Sequence, residues 1–158
     1  MTFQEIKKHL DSILSCKINI EEGKEVLFVP VESWKEVSEV LKNESKLEFN
    51  YLMCITSYDK GDKKTFGAAY NLYSTSHRHY LEVRVEVEDG ISIPSVVSLW
   101  KAADWHEREA YDMMGLSFEG HPDLKRILLA DDWEGHPLRK DYIEPNYYHG
   151  LPVPKDKS

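Results

Sequence analysis

The segment Asp104-Trp105-His106-Glu107-Arg108-Glu109-Ala110-Tyr111-Asp112 gathers carboxylates, an imidazole and a guanidinium into a short run. On a helix Arg108 lies four residues from both Asp104 and Asp112, so one guanidinium could serve two carboxylates on a single face. Glu107 and Glu109 point elsewhere. His106-Glu107 begins like the zinc helix H-E-x-x-H, but Ala110 stands where the second histidine must be. One imidazole among scattered carboxylates does not close a tetrahedral metal site. His121-Pro122 and His136-Pro137 could be recruited with His106, Asp123 or Asp131 to a composite metal or hydrolase centre, although a loop histidine beside proline more simply hydrogen-bonds backbone. His77 and His79 flank Arg78 at a strand entry and read as surface residues.

Other chemistries lack their parts. No serine sits in a G-x-S-x-G elbow, and the 8 glycines form neither G-x-G-x-x-G nor G-x-x-x-x-G-K. Cys16 and Cys54 stand far apart, which argues against an iron–sulfur cluster or a four-thiolate zinc site and fits a reducing compartment. By this inventory the chain holds no cofactor and no nucleophile.

The elements that must position these residues follow from periodicity. Thr2 with Glu5 forms a capping box ahead of the stripe Phe3, Ile6, Leu10, Ile13 and Leu14. Cys16, Ile18 and Ile20 alternate as a strand, Glu22-Gly23 turns, and Glu25 to Val29 returns as a hairpin ended by Pro30. Ser33 with Glu36 predicts a second capping box, opening a helix with Trp34, Val37, Val40 and Leu41 on one face. Phe49 to Tyr58 is apolar on both faces and so predicts a central strand. Thr65 to Ser74 follows a turn at Asp59 to Asp62. Leu81, Val83, Val85 and Val87 alternate with Glu82, Arg84, Glu86 and Glu88, a strand with one wet face. Helix, two strands, helix and three strands give an α+β fold, a mostly antiparallel sheet with helices on one face. A helix over Ser95 to Gly115 comes next. Residues 1–117 read as the α+β domain and 118–158 as a long, irregular, partner-binding segment that orders on its partner.

Composition agrees with a folded chain: 158 residues, 41% hydrophobic and 11% aromatic. The net charge is −8, with 12 basic and 16 acidic side chains up to Trp100 and 8 and 12 beyond it. No basic patch results, so nucleic acid and anionic lipid are poor partners. No apolar run approaches the roughly 18 residues that span a bilayer, and Glu5, Lys7, Lys8 and Asp11 interrupt the first helix, so a soluble cytoplasmic chain without a signal peptide is expected.

The run from Trp100 through Asp104-Trp105-His106-Glu107-Arg108-Glu109-Ala110-Tyr111-Asp112-Met113-Met114-Gly115 strongly resembles the signature of the C subunit of respiratory NADH:quinone oxidoreductase, complex I. The resemblance continues through Phe118-Glu119-Gly120-His121-Pro122-Asp123-Leu124-Lys125-Arg126-Ile127-Leu128 and closes with Asp132-Trp133-Glu134-Gly135-His136-Pro137-Leu138-Arg139-Lys140-Asp141-Tyr142. Thr56-Ser57-Tyr58-Asp59 and Ile93-Pro94-Ser95-Val96 add landmarks upstream. The family often has Phe where Met114 stands, and an apolar or aromatic residue where His106 stands, which argues against a metal ligand there.

That resemblance implies a scaffold subunit of the peripheral arm, on the cytoplasmic side of an energy-transducing membrane. It would support electron transfer from NADH to quinone without a catalytic site. Its partners would be the hydrogenase-like D subunit and the iron–sulfur B and I subunits, which with other subunits carry the clusters, FMN and quinone. An equivalent subunit of a ferredoxin- or deazaflavin-dependent oxidoreductase, or of a membrane-bound hydrogenase, would share the design; a small metal-dependent hydrolase is the distant alternative. Arg108, Arg126 and Arg139 are candidate bidentate donors to carboxylates, between subunits or between tail and body, with Glu107, Glu109 and Asp112 as acceptors. Arg139, between Pro137-Leu138 and Lys140-Asp141-Tyr142, is expected to meet a partner carboxylate. Trp105, Trp133, Tyr142, Tyr147 and Tyr148 are candidate aromatic anchors.

Overall fold

The computed structural model describes residues 1–21 and 23–153. Helix α1 (Phe3–Ile13) begins with the expected reciprocal cap: the Thr2 hydroxyl accepts from the Glu5 N–H, and the Glu5 carboxylate accepts from the Thr2 N–H. Its stripe buries Phe3, Ile6 and Leu10. Thr2→Ala should cost about 1 kcal/mol by removing one cap acceptor, measured as a lower denaturation midpoint. An unchanged midpoint would show that α1 is held by packing alone.

A short hairpin, β1 (Asn19–Ile20) and β2 (Val26–Phe28), leads into α2 (Val31–Asn43). The predicted turn includes Glu22, which lies outside the described residues. Ser33 and Glu36 do not form the second capping box. Pro30, with φ fixed at −58°, starts the helix earlier, so Ser33 already lies in the first turn and its N–H donates to the Pro30 carbonyl.

Strands β3 (Tyr51–Asp59), β4 (Thr65–Ser74) and β5 (His79–Glu88) complete a mixed five-stranded sheet in the order β1-β2-β5-β4-β3. The β2–β5 pair is parallel and the others are antiparallel. On the core face Phe66, Ala68, Tyr70 and Leu72 oppose Val87, Val85, Val83 and Leu81. These residues join side chains of all three α-helices in one hydrophobic cluster that includes Trp34, Leu41, Phe49 and Trp100. On the other face Gly67, Ala69 and Asn71 oppose Glu86, Arg84 and Glu82. The Tyr58 ring lies across Gly67, where an added methyl would collide with it.

Three expectations fail here. The stretch read as central, Phe49 to Tyr58, forms β3 at the sheet edge; Leu52 and Ile55 are buried, whereas Tyr51 and Met53 face outward. The central places go to β4 and β5, each paired on both sides. His79 is not on the surface. It lies on the core face of β5, buried against Phe49, with Nε2 hydrogen-bonded to the Leu47 carbonyl at 2.8 Å. Helix α3 covers only Ala103–Met114, not Ser95 to Gly115. The Ser95 N–H is committed to the Glu119 carbonyl and the Val96 N–H to the Glu107 carboxylate, so residues 95–102 fold as turns under α3 instead of extending it.

Past α3, β7 (Phe118–Glu119) pairs in parallel with β6 (Ile93–Pro94), stitching the start of the irregular segment to the body. The segment then runs without long elements to a small hairpin, β8 (Tyr147–Tyr148) and β9 (Leu151–Pro152).

Candidate functional site

The signature run and the segment after it meet around α3. Glu107, one turn into the helix, is completely buried. One carboxylate oxygen accepts from the Val96 N–H at 2.8 Å and the other from the Ser95 hydroxyl at 2.6 Å. Burial pushes its pKa up; the bonds from Ser95 and Val96 and the nearby His121 offset this only in part. The His121 ring is buried beside it, with Nε2 4.0 Å from Glu107, 3.3 Å from the Asp104 carboxylate and 3.2 Å from the Asp104 carbonyl. The Asp123 N–H donates to His121 Nδ1, which places the ring proton on Nε2 in the neutral tautomer.

Asp112 is the second buried carboxylate. Its Oδ2 accepts from the Ile127, Leu128 and Leu129 N–H groups at 2.7–3.0 Å, and its Oδ1 from Arg126 at 2.7 Å. Burial pulls the pKa of Asp112 up, but the three N–H bonds and the Arg126 guanidinium outweigh it, leaving it below the usual aspartate value. Arg126 also donates to the Trp133 and Gly135 carbonyls. One guanidinium therefore ties α3 to two parts of the tail.

A helix leaves its last carbonyls without partners. Here the tail supplies the donors. The His136 ring bonds the Asp112 carbonyl at 3.0 Å, the Leu138 N–H the Met113 carbonyl at 3.0 Å, and Arg139 Nε the Met114 carbonyl at 2.8 Å. The Arg139 cation at the negative end of α3 is favoured by the helix dipole. Gly115 makes this approach possible: its φ is +73°, and a Cβ there would stand 2.6 Å from the His136 ring.

Two arginines are placed differently from expectation. Arg108 pairs with neither Asp104 nor Asp112; it donates to the Lys125 and Arg126 carbonyls and lies over the Trp105 ring. Asp112 turns inward to the loop N–H groups, where that guanidinium does not follow. The carboxylate that Arg139 meets belongs to this chain: it binds Asp89 through two hydrogen bonds, at 2.8 and 3.1 Å, above the Phe66 ring. Sequence reasoning missed Asp89, and it marked Ser95 and Asp59 as landmarks without a role; Asp59 accepts the Lys140 N–H at 3.0 Å. Nothing in the sequence signals the tie of Asp89 to a residue 50 positions on. Asp89 is 50% exposed, so Arg139→Ala leaves a hydrated carboxylate, not a buried one. The expected loss is about 1–2 kcal/mol in chemical denaturation; a loss of about 4 kcal/mol would mean that Arg139 anchors the whole tail.

Other signature residues are at the surface. Trp105, Glu109, Gly120, Pro122, Lys140 and Asp141 are exposed. Trp133 is half-buried and donates from Nε1 to the Tyr142 hydroxyl. Among the described residues no group of three or more His, Cys, Asp or Glu side chains is arranged to hold a metal, and His121 and His136 both spend ring nitrogens on backbone groups.

Residues 27–148, which include this whole constellation, match the family described as respiratory-chain NADH dehydrogenase, 30 kDa subunit. The chain belongs to this family. It is 46% identical over 126 residues to the NADH-quinone oxidoreductase C subunit of Chloroherpeton thalassium, covering 78% of this chain and 52% of that protein. Against the C subunit of Chlorobium phaeobacteroides the identity is 47% over 126 residues, covering 78% of this chain and 75% of the relative. The match thus spans about half of the first relative and three quarters of the second. The C subunit numbered 2 in Rhizobium etli is 40% identical over 108 residues, covering 68% of this chain and 58% of the relative. The 30 kDa-subunit fold also superposes, at 21% identity and a TM-score of 0.72, on a chain from the membrane-bound sulfane sulfur reductase, an archaeal respiratory membrane complex. That likeness covers 89% of this chain and 84% of the other and concerns the fold.

Proposed function

We propose that the chain is a non-catalytic, cofactor-free scaffold subunit of the peripheral arm of a proton-translocating NADH:quinone oxidoreductase. It docks D-, B- and I-type subunits on the cytoplasmic side of the membrane, and the clusters, FMN and quinone belong to those neighbours and the rest of the complex. The observation that carries the reading is how the signature spends its chemistry. Glu107, Asp112, His121, Arg126, His136 and Arg139 all bond within the chain, so these six charged and imidazole groups of the signature serve its own fold. Large apolar and aromatic side chains stand among the charged ones that face outward: Trp105 is 62% exposed, Ile143 87%, and Leu128, Leu138, Tyr147 and Leu151 are also exposed. A concentration of large apolar side chains on an internally pinned segment is the character of a docking surface. Among the described residues no helix is long and apolar enough to cross a membrane, so membrane attachment would come through partners.

The test is purification of the tagged chain from native membranes in mild detergent. Co-elution of iron–sulfur subunits and of a flavin-bearing NADH module is the expected result; the same subunits without the flavin module would assign a ferredoxin- or deazaflavin-type donor instead. The chain expressed alone should be colourless, without stoichiometric iron, flavin or zinc. Elution as a lone chain, or one metal retained per chain after chelator washing, would overturn the scaffold reading.

A further inference from the structure

The far end of the tail forms a pocket of about 260 Å³ that the α3 network does not use. Asp132, Trp133 and Glu134 line one side, and Tyr147, Tyr148 and His149 the other. Its walls are fixed in advance. The two carboxylate oxygens of Asp132 are both engaged, one by the Tyr148 hydroxyl at 2.6 Å and the other by His149 Nε2 at 2.7 Å, so one aspartate clamps the β8–β9 hairpin against the Trp133 loop. Trp133 and Tyr148 lie with ring centroids 5.0 Å apart, and Trp133 is held from behind through its Nε1 bond to Tyr142. Arg126 fixes the same loop through the Trp133 and Gly135 carbonyls. Glu134, by contrast, has no hydrogen-bond or ion-pair partner among the described residues.

From this the geometry points to a receptor for a single arginine side chain presented by a protein partner, a refinement that rests on the scaffold reading above. Size decides first: the volume lies below the roughly 300–1,000 Å³ of sites that enclose small-molecule ligands and suits one long side chain. Charge decides next. Two carboxylates border the pocket, and no lysine or arginine among the described residues lines it, so an anionic occupant has no favourable counterpart. Aromatic faces attract a cation through the ring quadrupole, and a flat guanidinium can stack on the indole while its edge donates to a carboxylate. Asp132 already accepts one bond at each oxygen in holding the walls, whereas Glu134 accepts none among the described residues, so Glu134 is the principal acceptor. The contacts of Asp132 and Trp133 already bridge the two walls, which lowers the ordering cost when the side chain enters.

The test uses the full chain, isotopically labelled, with the Trp133 indole N–H resonance assigned by comparison with Trp133→Leu. The probes are acetyl-Gly-Arg-Gly-amide, its leucine and glutamate counterparts, and tetramethylammonium. The arginine peptide should move the Trp133 resonance saturably, and the leucine and glutamate peptides should not. Glu134→Gln should weaken that binding about 2–5-fold, and Trp133→Leu, followed on the hairpin amides, by a similar factor. Equal shifts with the leucine peptide, tighter binding of tetramethylammonium, or no effect of Glu134→Gln would overturn the assignment. A second measurement separates this proposal from the scaffold reading. Hydroxyl-radical labelling of Trp133 and Tyr147 should be suppressed in the purified complex relative to the free chain. If the complex forms and both side chains remain as reactive as in the free chain, the pocket proposal fails while the scaffold reading stands; if no complex forms, the scaffold reading fails and with it the protein partner assigned to the pocket.

Discussion

Replacing Asp112 with alanine is expected to destabilise the chain by about 3–5 kcal/mol, the scale at which a buried charge loses its partner. Four donors converge on that carboxylate: the N–H groups of Ile127, Leu128 and Leu129, and Arg126. Removing the acceptor leaves the mostly buried Arg126 guanidinium and three loop N–H groups to compete for fewer acceptors. Asp112→Asn keeps an oxygen for the loop but loses the charge opposite Arg126, so it should fall between alanine and the parent. The pH dependence has a definite sign. The folded-state pKa of Asp112 lies below its ordinary value of 3.8, so its stabilisation is fully present above that value and is lost as pH falls through the folded pKa. Equilibrium denaturation of both variants measures the effect. An alanine variant within about 1 kcal/mol of the parent would show that the tail holds its place on α3 without this carboxylate.

The legible and illegible parts of the fold divide by physical range. Thr2 with Glu5, the α1 stripe as far as Leu10 and the alternation from Leu81 to Val87 are local patterns that formed as their spacing predicts, although Ile13, at the end of that stripe, is exposed. The edge position of β3 was hidden because an apolar face reads the same whether another strand lies beside it or solvent does; Tyr51 and Met53 are the residues that mislead. Ser33 misled for a different reason, since Pro30 had already set the helix start. The signature run could be recognised, yet its roles could not. Asp112 finds Arg126 14 residues away and Arg139 finds Asp89 50 residues back, and helical spacing offered Arg108 as the obvious but wrong partner. Burial of Glu107 was equally hidden: in a run of charged residues nothing marks the one that turns inward to cap the Ser95-Val96 turn.

Glu107 gives the second large effect, and alanine and glutamine there should behave in opposite ways. Glu107→Ala removes the acceptor for the buried Val96 N–H and the Ser95 hydroxyl and leaves a gap under α3, an expected loss of about 2–4 kcal/mol. Glu107→Gln can keep both bonds, because its carbonyl accepts from Val96 and the Ser95 hydroxyl can rotate to accept from its amide. Burial raises the folded-state pKa of Glu107 above its ordinary 4.5, so the folded chain holds that proton more tightly than the unfolded chain does. Stability from this group is therefore fully present below pH 4.5 and is lost as pH rises toward the folded value. Glutamine removes that slope. Its denaturation midpoint should match the parent in acid and exceed it progressively above pH 4.5. The decisive comparison is the midpoint of the two proteins at acid and neutral pH. If glutamine is instead less stable than the parent at neutral pH, the ionised carboxylate is the better acceptor for Ser95 and Val96, and this corner of the fold is not governed by a buried acid.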